Sequence, residues 1–409
     1  MKRVAITGMG VISPVGNTLH DFFTNLMAGK SAIRRISSDF TDLLSVKIAA
    51  EVNFNPEEHF DKKAIRALDR VSQLALAAAS LAWRDAGIVP EDGERKRMGT
   101  SIGTGMGGAH SLEEIYVQLF KKNARRVNPL SVILAMNNAA ASHISMEYGL
   151  EGPCLTFSTA CASSAVSIGE AFCKIKDGYA DLMLAGGTES LLTLGVFKSW
   201  ESIGTLAAEA EDPSTSCRPF SKDRSGFVLG EGAAIMVLES LDRAVKRGAR
   251  IYGEIIGYGS TADSSHITKP SLEGQARAMS LALEDARIGP GDIDYINAHG
   301  TATVANDLIE TQAIKQVFGP KAPHVPISST KSMHGHLMGA AGAVELAAAV
   351  LAIGHQAVPP TATLMVPDPE CDLDYVPGKG RTGLNIRTVM SNSFAFGGTN
   401  AVLIARKYE

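Results

Sequence analysis

The most constraining feature of this sequence is that it echoes itself. Leu81-Ala-Trp-Arg-Asp-Ala-Gly-Ile-Val-Pro-Glu-Asp92 returns as Leu281-Ala-Leu-Glu-Asp-Ala-Arg-Ile-Gly-Pro-Gly-Asp292, with seven of twelve positions identical. Each copy reads as a helix end entering a turn, and each precedes an apolar run suited to a buried strand, Met98 to Gly103 and Ile293 to Ala298. Further on, Pro153 to Thr159 leads into a small-residue helix after Cys161, as Val325 to Ser329 leads through Lys331 into the apolar stretch from Gly339. Asp181 to Thr188 is answered by Val389 to Thr399. A duplicated unit accounts for the repeated order, and strands alternating with helices imply an α/β architecture with largely parallel sheets covered on both faces. The boundary falls near Gly248 to Tyr252, without a linker, dividing the chain into residues 1–249 and 250–409.

Composition then excludes several classes. With 45% hydrophobic and 20% charged residues, 409 residues can bury a large core, so disorder and coiled coil are ruled out. A net charge of −4 argues against a surface dedicated to nucleic acid. Five cysteines with no CxxC pair favour neither disulfides nor a thiolate zinc site, and point to reduced thiols and a cytoplasmic protein. Gly8, Gly10 and Pro14 interrupt the opening residues, which read as a first strand and turn. The stretch Gly339 to Gly354 carries Glu345 and is 16 residues long, so it reads as a buried helix and no membrane span is expected.

The chemistry converges on three turns. Cys161, in Ser158-Thr-Ala-Cys-Ala-Ser-Ser164, follows a strand and opens a helix, where unpaired amide N–H groups favour a thiolate. Cys154 and Cys173 read as small buried hydrophobes. A nucleophilic cysteine needs a base or charge stabiliser, and His299 and His336, flanked by glycines on strand-to-helix turns, supply candidates. Nothing at recognisable spacing completes a metal site around His334-Gly335-His336, so no metal is expected. Gly103-x-Gly105-x-x-Gly108 matches the dinucleotide fingerprint formally but lacks its acidic partner, and no phosphate-cradling Walker motif is present. Basic clusters around Lys63 and Arg66, and around Arg125 and Arg126, would suit an acidic protein partner if they flank the entrance.

Ser158 to Ser164, Asn297-Ala-His-Gly-Thr-Ala-Thr303, Ser329-Thr-Lys-Ser-Met-His-Gly-His336 and Asn392-Ser-Phe-Ala-Phe-Gly-Gly-Thr-Asn400 together resemble the elongating, type II β-ketoacyl-acyl-carrier-protein synthases, over essentially the whole chain. The resemblance implies a thiolase-like five-layer α-β-α-β-α fold built from two βαβαβαββ halves. It also implies an acyltransferase that condenses a Cys161-bound acyl chain with malonyl-ACP, with loss of CO2. By motif, His299 and His336 would promote decarboxylation and Lys331 would order the site with Glu345. Asp307 and Glu310 would support it, and the backbone N–H groups of Cys161 and Phe396 would hold the oxyanion. Phe396 would gate, Thr301 and Thr303 would hold the phosphopantetheine arm, and Met106 would sit at the acyl-pocket bend. The partner would be acyl carrier protein, which itself brings the phosphopantetheine, so no resident cofactor is implied. The assembly would be a homodimer, or a heterodimer with a homologous subunit. Ala395 in the gate loop, His334, Val304-Ala-Asn-Asp307 and Ser264 to Lys269 depart from housekeeping members toward specialised synthases, nodulation-type or aryl-polyene-type. A thiolase would need a second catalytic cysteine, for which Cys371 is poorly placed. A chain-length-factor subunit typically lacks the cysteine.

Overall fold

A computed structural model describes all 409 residues. Ten strands form one hydrogen-bonded sheet: β1 (Val4–Ile12), β2 (Met98–Gly103), β3 (Cys154–Phe157), β4 (Leu182–Glu189), β5 (Gly232–Ser240), β6 (Gly253–Ala262), β7 (Tyr295–Asn297), β8 (Ile327–Ser328), β9 (Thr388–Phe394) and β10 (Thr399–Arg406). Six helices cover it: α1 (Arg70–Ala86), α2 (Ala139–Tyr148), α3 (Ser163–Lys176), α4 (Leu272–Ala286), α5 (Val304–Phe318) and α6 (Ala341–His355). The strand order is β8-β7-β9-β10-β6-β1-β5-β4-β2-β3. Read outward from the centre, one half runs β1-β5-β4-β2-β3 and the other β6-β10-β9-β7-β8, the same path with five added to every strand. The directions repeat as well: antiparallel, antiparallel, parallel, parallel in each half, joined by the antiparallel pair β1–β6.

The sheet is therefore mixed, with four parallel pairs among nine, where the alternation of strands and helices predicted a largely parallel one. The reason is physical. A strand buried on both faces is an apolar run whichever way it points, and only the connection, such as the four-residue loop between β9 and β10, sets its direction.

Side-chain alternation sorts the layers. Along β5, Ala234, Met236 and Leu238 join a core with α3 and α6, while Ala233, Ile235 and Val237 join another with α1. Along β10, Ala401, Leu403 and Ala405 face the first core, while Val402 and Ile404 face α4 and α5. Helices α3 and α6 thus form a middle layer between the two five-stranded halves, with α1 and α2 outside one and α4 and α5 outside the other. This is the expected five-layer stack.

The repeat is also visible atom by atom. A Cβ at Gly8 would stand 2.4 Å from the Ala82 carbonyl oxygen, and one at Gly257 would stand 2.3 Å from that of Ala282. Gly10 and Gly259 meet Ala78 and Ala278 in the same way, at 2.0 and 2.2 Å. Only glycine against alanine lets strand and helix approach this closely. Both helices end in a left-handed cap, at Gly87 in one copy and Arg287 in the other.

The helical segment Met338–His355 reaches 18 residues with a mean hydropathy of 1.5, so length does not separate it from a membrane span as the 16-residue count implied. Its position does: 89% of it is buried in the middle layer. Cys154 is exposed on the edge strand β3 and Cys173 is half-buried, so neither is the core hydrophobe expected. All five cysteines are free.

Candidate active site

Cys161 lies between β3 and α3, in a single tight turn, Ala160–Ala162. Ala160 adopts φ 49°, a left-handed conformation costly for a residue with a Cβ. Burial pushes the Cys161 thiol up to about 11, against the charge of Lys331 and the backbone N–H groups of Phe396 and Cys161 itself, which pull it down. The helix entrance alone predicted a thiolate, but desolvation dominates and the resting group is a thiol.

Two segments of the second half meet it. After β7, the backbone N–H groups of His299 and Gly300 each donate to Glu310 on α5 at 2.8 Å, and Asn392 on β9 donates to the same carboxylate at 3.2 Å. Asp307, one turn earlier on α5, accepts from the Phe220 N–H at 2.8 Å and faces Arg224 at 3.8 Å. Burial raises both carboxyls to about 6. After β8, Lys331 begins a one-turn helix, Lys331–His334. Its fully buried ammonium donates to Glu345 on α6, to the His299 carbonyl at 2.6 Å and toward His299 Nδ1 at 3.4 Å. Glu345 is raised to about 7 by burial, with Lys331 opposing.

These bonds fix two tautomers. An ammonium only donates, so His299 Nδ1 accepts and Nε2 carries the hydrogen; the Met338 N–H donates to His336 Nδ1 at 3.1 Å, which likewise leaves the hydrogen on Nε2. Burial, followed by the charge of Lys331, holds both imidazoles well below their usual pKa. The rings stand perpendicular with centroids 5.5 Å apart, and His336 Nε2 has no partner within the chain. The site thus offers two neutral N–H donors beside a thiol, an arrangement suited to a developing oxyanion.

A cavity of about 120 Å³ joins Cys161, His299 and His336 to Thr301, Thr303 and Phe396. The two threonine hydroxyls are 2.9 Å apart, and the Phe396 ring packs on Trp200 at 5.9 Å. Met106 does not line the cavity and is 50% exposed. Lys63, Arg66, Arg125 and Arg126 are exposed, and none of them lines it.

Spacing offered no third metal ligand, yet folding supplies one: donor atoms of Cys161, His299 and His336 lie within 4.8 Å of one another. His334 is not among them, being bonded to Thr330 and the Gly335 carbonyl. The Lys331 ammonium against His299 works electrostatically against a cation there.

Sequence reasoning missed Glu189. Fully buried at the end of β4 and raised to about 7, it accepts from Thr104, Gly105 and Gly339, tying the glycine-rich loop of the first half to the entrance of α6. The N–H groups of that loop face a carboxylate of the same chain, not a dinucleotide. An acid closing the apolar run Leu182 to Gly187 was the available signal.

Sequence models described as "Beta-ketoacyl synthase, N-terminal domain" and "Beta-ketoacyl synthase, C-terminal domain" match residues 1–244 and 252–365. The chain is 46% identical to "3-oxoacyl-[acyl-carrier-protein] synthase 2" of Staphylococcus aureus (strain N315), over 100% of this chain and 99% of that one. Its structure resembles a β-ketoacyl synthase from Burkholderia phymatum STM815 at TM-score 0.93 and 37% identity, with both chains fully covered. It also resembles the AntDE:AntF complex, a type II polyketide acyl-carrier protein with its ketosynthase bound to the hexaketide, at TM-score 0.92 and 34% identity, again over 100% of each chain.

Proposed function

This chain belongs to the β-ketoacyl synthase family and is a condensing acyltransferase of acyl-chain elongation, and on that premise we propose that it works by acyl exchange through Cys161. The Cys161 sulfur attacks the thioester of acyl carrier protein; the S–C bond to the carrier breaks, and the thiol proton ends on the released carrier thiol. Malonyl-ACP then loses CO2, and the electrons of the broken C–C bond form an enolate whose oxygen takes N–H bonds from His299 and His336. The nucleophilic carbon attacks the Cys161 thioester, a C–C bond forms, and the sulfur leaves and regains a proton. The backbone N–H groups of Cys161 and Phe396 hold the transient oxyanion. One arrangement carries this reading: a buried thiol facing two imidazoles whose Nδ1 atoms are occupied and whose Nε2–H groups are free to donate.

Thr301 and Thr303 receive the phosphopantetheine arm, which arrives on the carrier, so no resident cofactor is required. Phe396 gates the small cavity, and Lys63, Arg66, Arg125 and Arg126 meet the acidic carrier; the carrier protein held by the related ketosynthase AntDE supports that partner. A second copy covers the exposed Tyr116, Phe120, Val132 and Ile133 and the free edge of β3, and places Met106 at an acyl pocket completed across the interface. The halves divide at 249/250, and the free cysteines fit the cytoplasm. Ala395 and the segment Ser264 to Lys269 favour a specialised acyl substrate over a housekeeping one.

Incubation with acyl-ACPs of varied length and unsaturation, read by intact mass, tests this. Acylation is expected on wild-type protein and not on Cys161→Ala; an acylated Cys161→Ala protein would show the nucleophile to be wrong.

A further inference from the structure

Gln275 stands in the first turn of α4, fully buried, on the wall of the cavity that holds Cys161, His299, Thr301 and Thr303. Neither its Nε2 nor its Oε1 has a hydrogen-bond partner within the chain. A carboxamide carries two donor hydrogens and two acceptor lone pairs, and leaving all of them without a protein partner at a buried position is costly.

Packing does not call for this side chain. The glycine contacts at Ala78 and Ala278, and at Ala82 and Ala282, show that α1 and α4 superpose with an offset of 200, so Gln275 corresponds to Ala75. Ala75 is fully buried in the outer core. The same position is thus filled by a methyl group on α1, which does not reach the cavity, and by an unpaired amide on α4, which does.

We propose that Gln275 is a binding residue for the carrier arm, pairing its carboxamide with a secondary amide of phosphopantetheine. This rests on the Cys161 reading above. A secondary amide presents one N–H and one C=O, the complement of a carboxamide, whereas a hydrocarbon acyl chain presents neither. Position agrees: the exposed run Ile267 to Lys269, also on the cavity wall, leads through Pro270 directly into α4, so Gln275 lies on the entrance side where an arm passes.

The test compares wild type with Gln275→Met, which keeps the bulk, and Gln275→Ala, the residue of the other repeat. The same saturated acyl group is offered on pantetheine, on N-acetylcysteamine and on ethanethiol, carrying two, one and no amides, and Cys161 acylation is followed by intact mass. Loss of one hydrogen bond should raise KM about tenfold for the pantetheine thioester, with the maximal rate retained and the ethanethiol ester unaffected. Equal losses on all three carriers would reveal a structural role and overturn the proposal. So would no loss on any carrier, or a loss that follows polar substituents on the acyl chain. Wild-type protein that none of the three acylates would instead overturn the Cys161 reading beneath it.

Discussion

Lys331 grips His299 at two atoms, donating to its carbonyl oxygen at 2.6 Å and approaching its Nδ1 at 3.4 Å. The same ammonium is paired with Glu345, so one buried cation sets the tautomer of an imidazole and neutralises an acid on another helix.

Removing that cation should leave a buried charge unpaired. Lys331→Met is expected to lose about 3–5 kcal/mol of stability, and Lys331→Met combined with Glu345→Leu to recover much of it without recovering activity. The sign with pH follows from Glu345. Its carboxyl is raised to about 7, above an unfolded value of about 4.3. The native state therefore holds the proton more tightly, and stability falls as pH rises across that window. Without Lys331 the window extends upward, so the Lys331→Met deficit should be larger at pH 8 than at pH 6 in urea unfolding. An equal deficit at both would contradict the pairing.

His299→Ala and His336→Ala should each slow condensation by about 10²–10³-fold while Cys161 still accepts an acyl group. Because both imidazoles are held well below their usual pKa, the decarboxylation rate should show no histidine limb between pH 6 and 8. Carbon dioxide release and acyl occupancy, measured separately, check both statements.

The resting thiol can be titrated directly. With Cys161 raised to about 11, its alkylation by iodoacetamide should climb about tenfold per pH unit from 7 to 9 without a plateau, and more slowly at each pH in Lys331→Met. A plateau near neutrality would mean a standing thiolate.

Gly8→Ala and Gly257→Ala should cost similar amounts, about 1–3 kcal/mol or more, because each drives a Cβ into the carbonyl of an equivalent alanine. Thermal unfolding of the two variants would show whether the halves pack alike in solution.

Much of this was legible in the chain. The echo at Leu81 and Leu281 located two equivalent helix ends, and the glycines around Cys161, His299 and His336 marked turns that the fold brings together. Strand direction was not legible, because apolar runs carry no polarity. Nor was the thiol's resting state, since it depends on desolvation by residues far apart in sequence. Glu189 closes an apolar run and Gln275 sits among the polar residues of Ser271 to Ser280, so neither stands out until its surroundings are known. Met106 stands half-exposed and off the cavity wall, a placement that its sequence neighbours do not reveal.

The middle layer has a consequence for synthesis. It takes one helix from each half, α3 and α6, and α6 begins about 165 residues after α3 ends. At 5–20 residues per second, α3 waits roughly 8–33 s on the ribosome with its apolar side uncovered. The nascent chain is therefore a client for holding factors, and a fragment ending at the repeat boundary would expose that side permanently and aggregate.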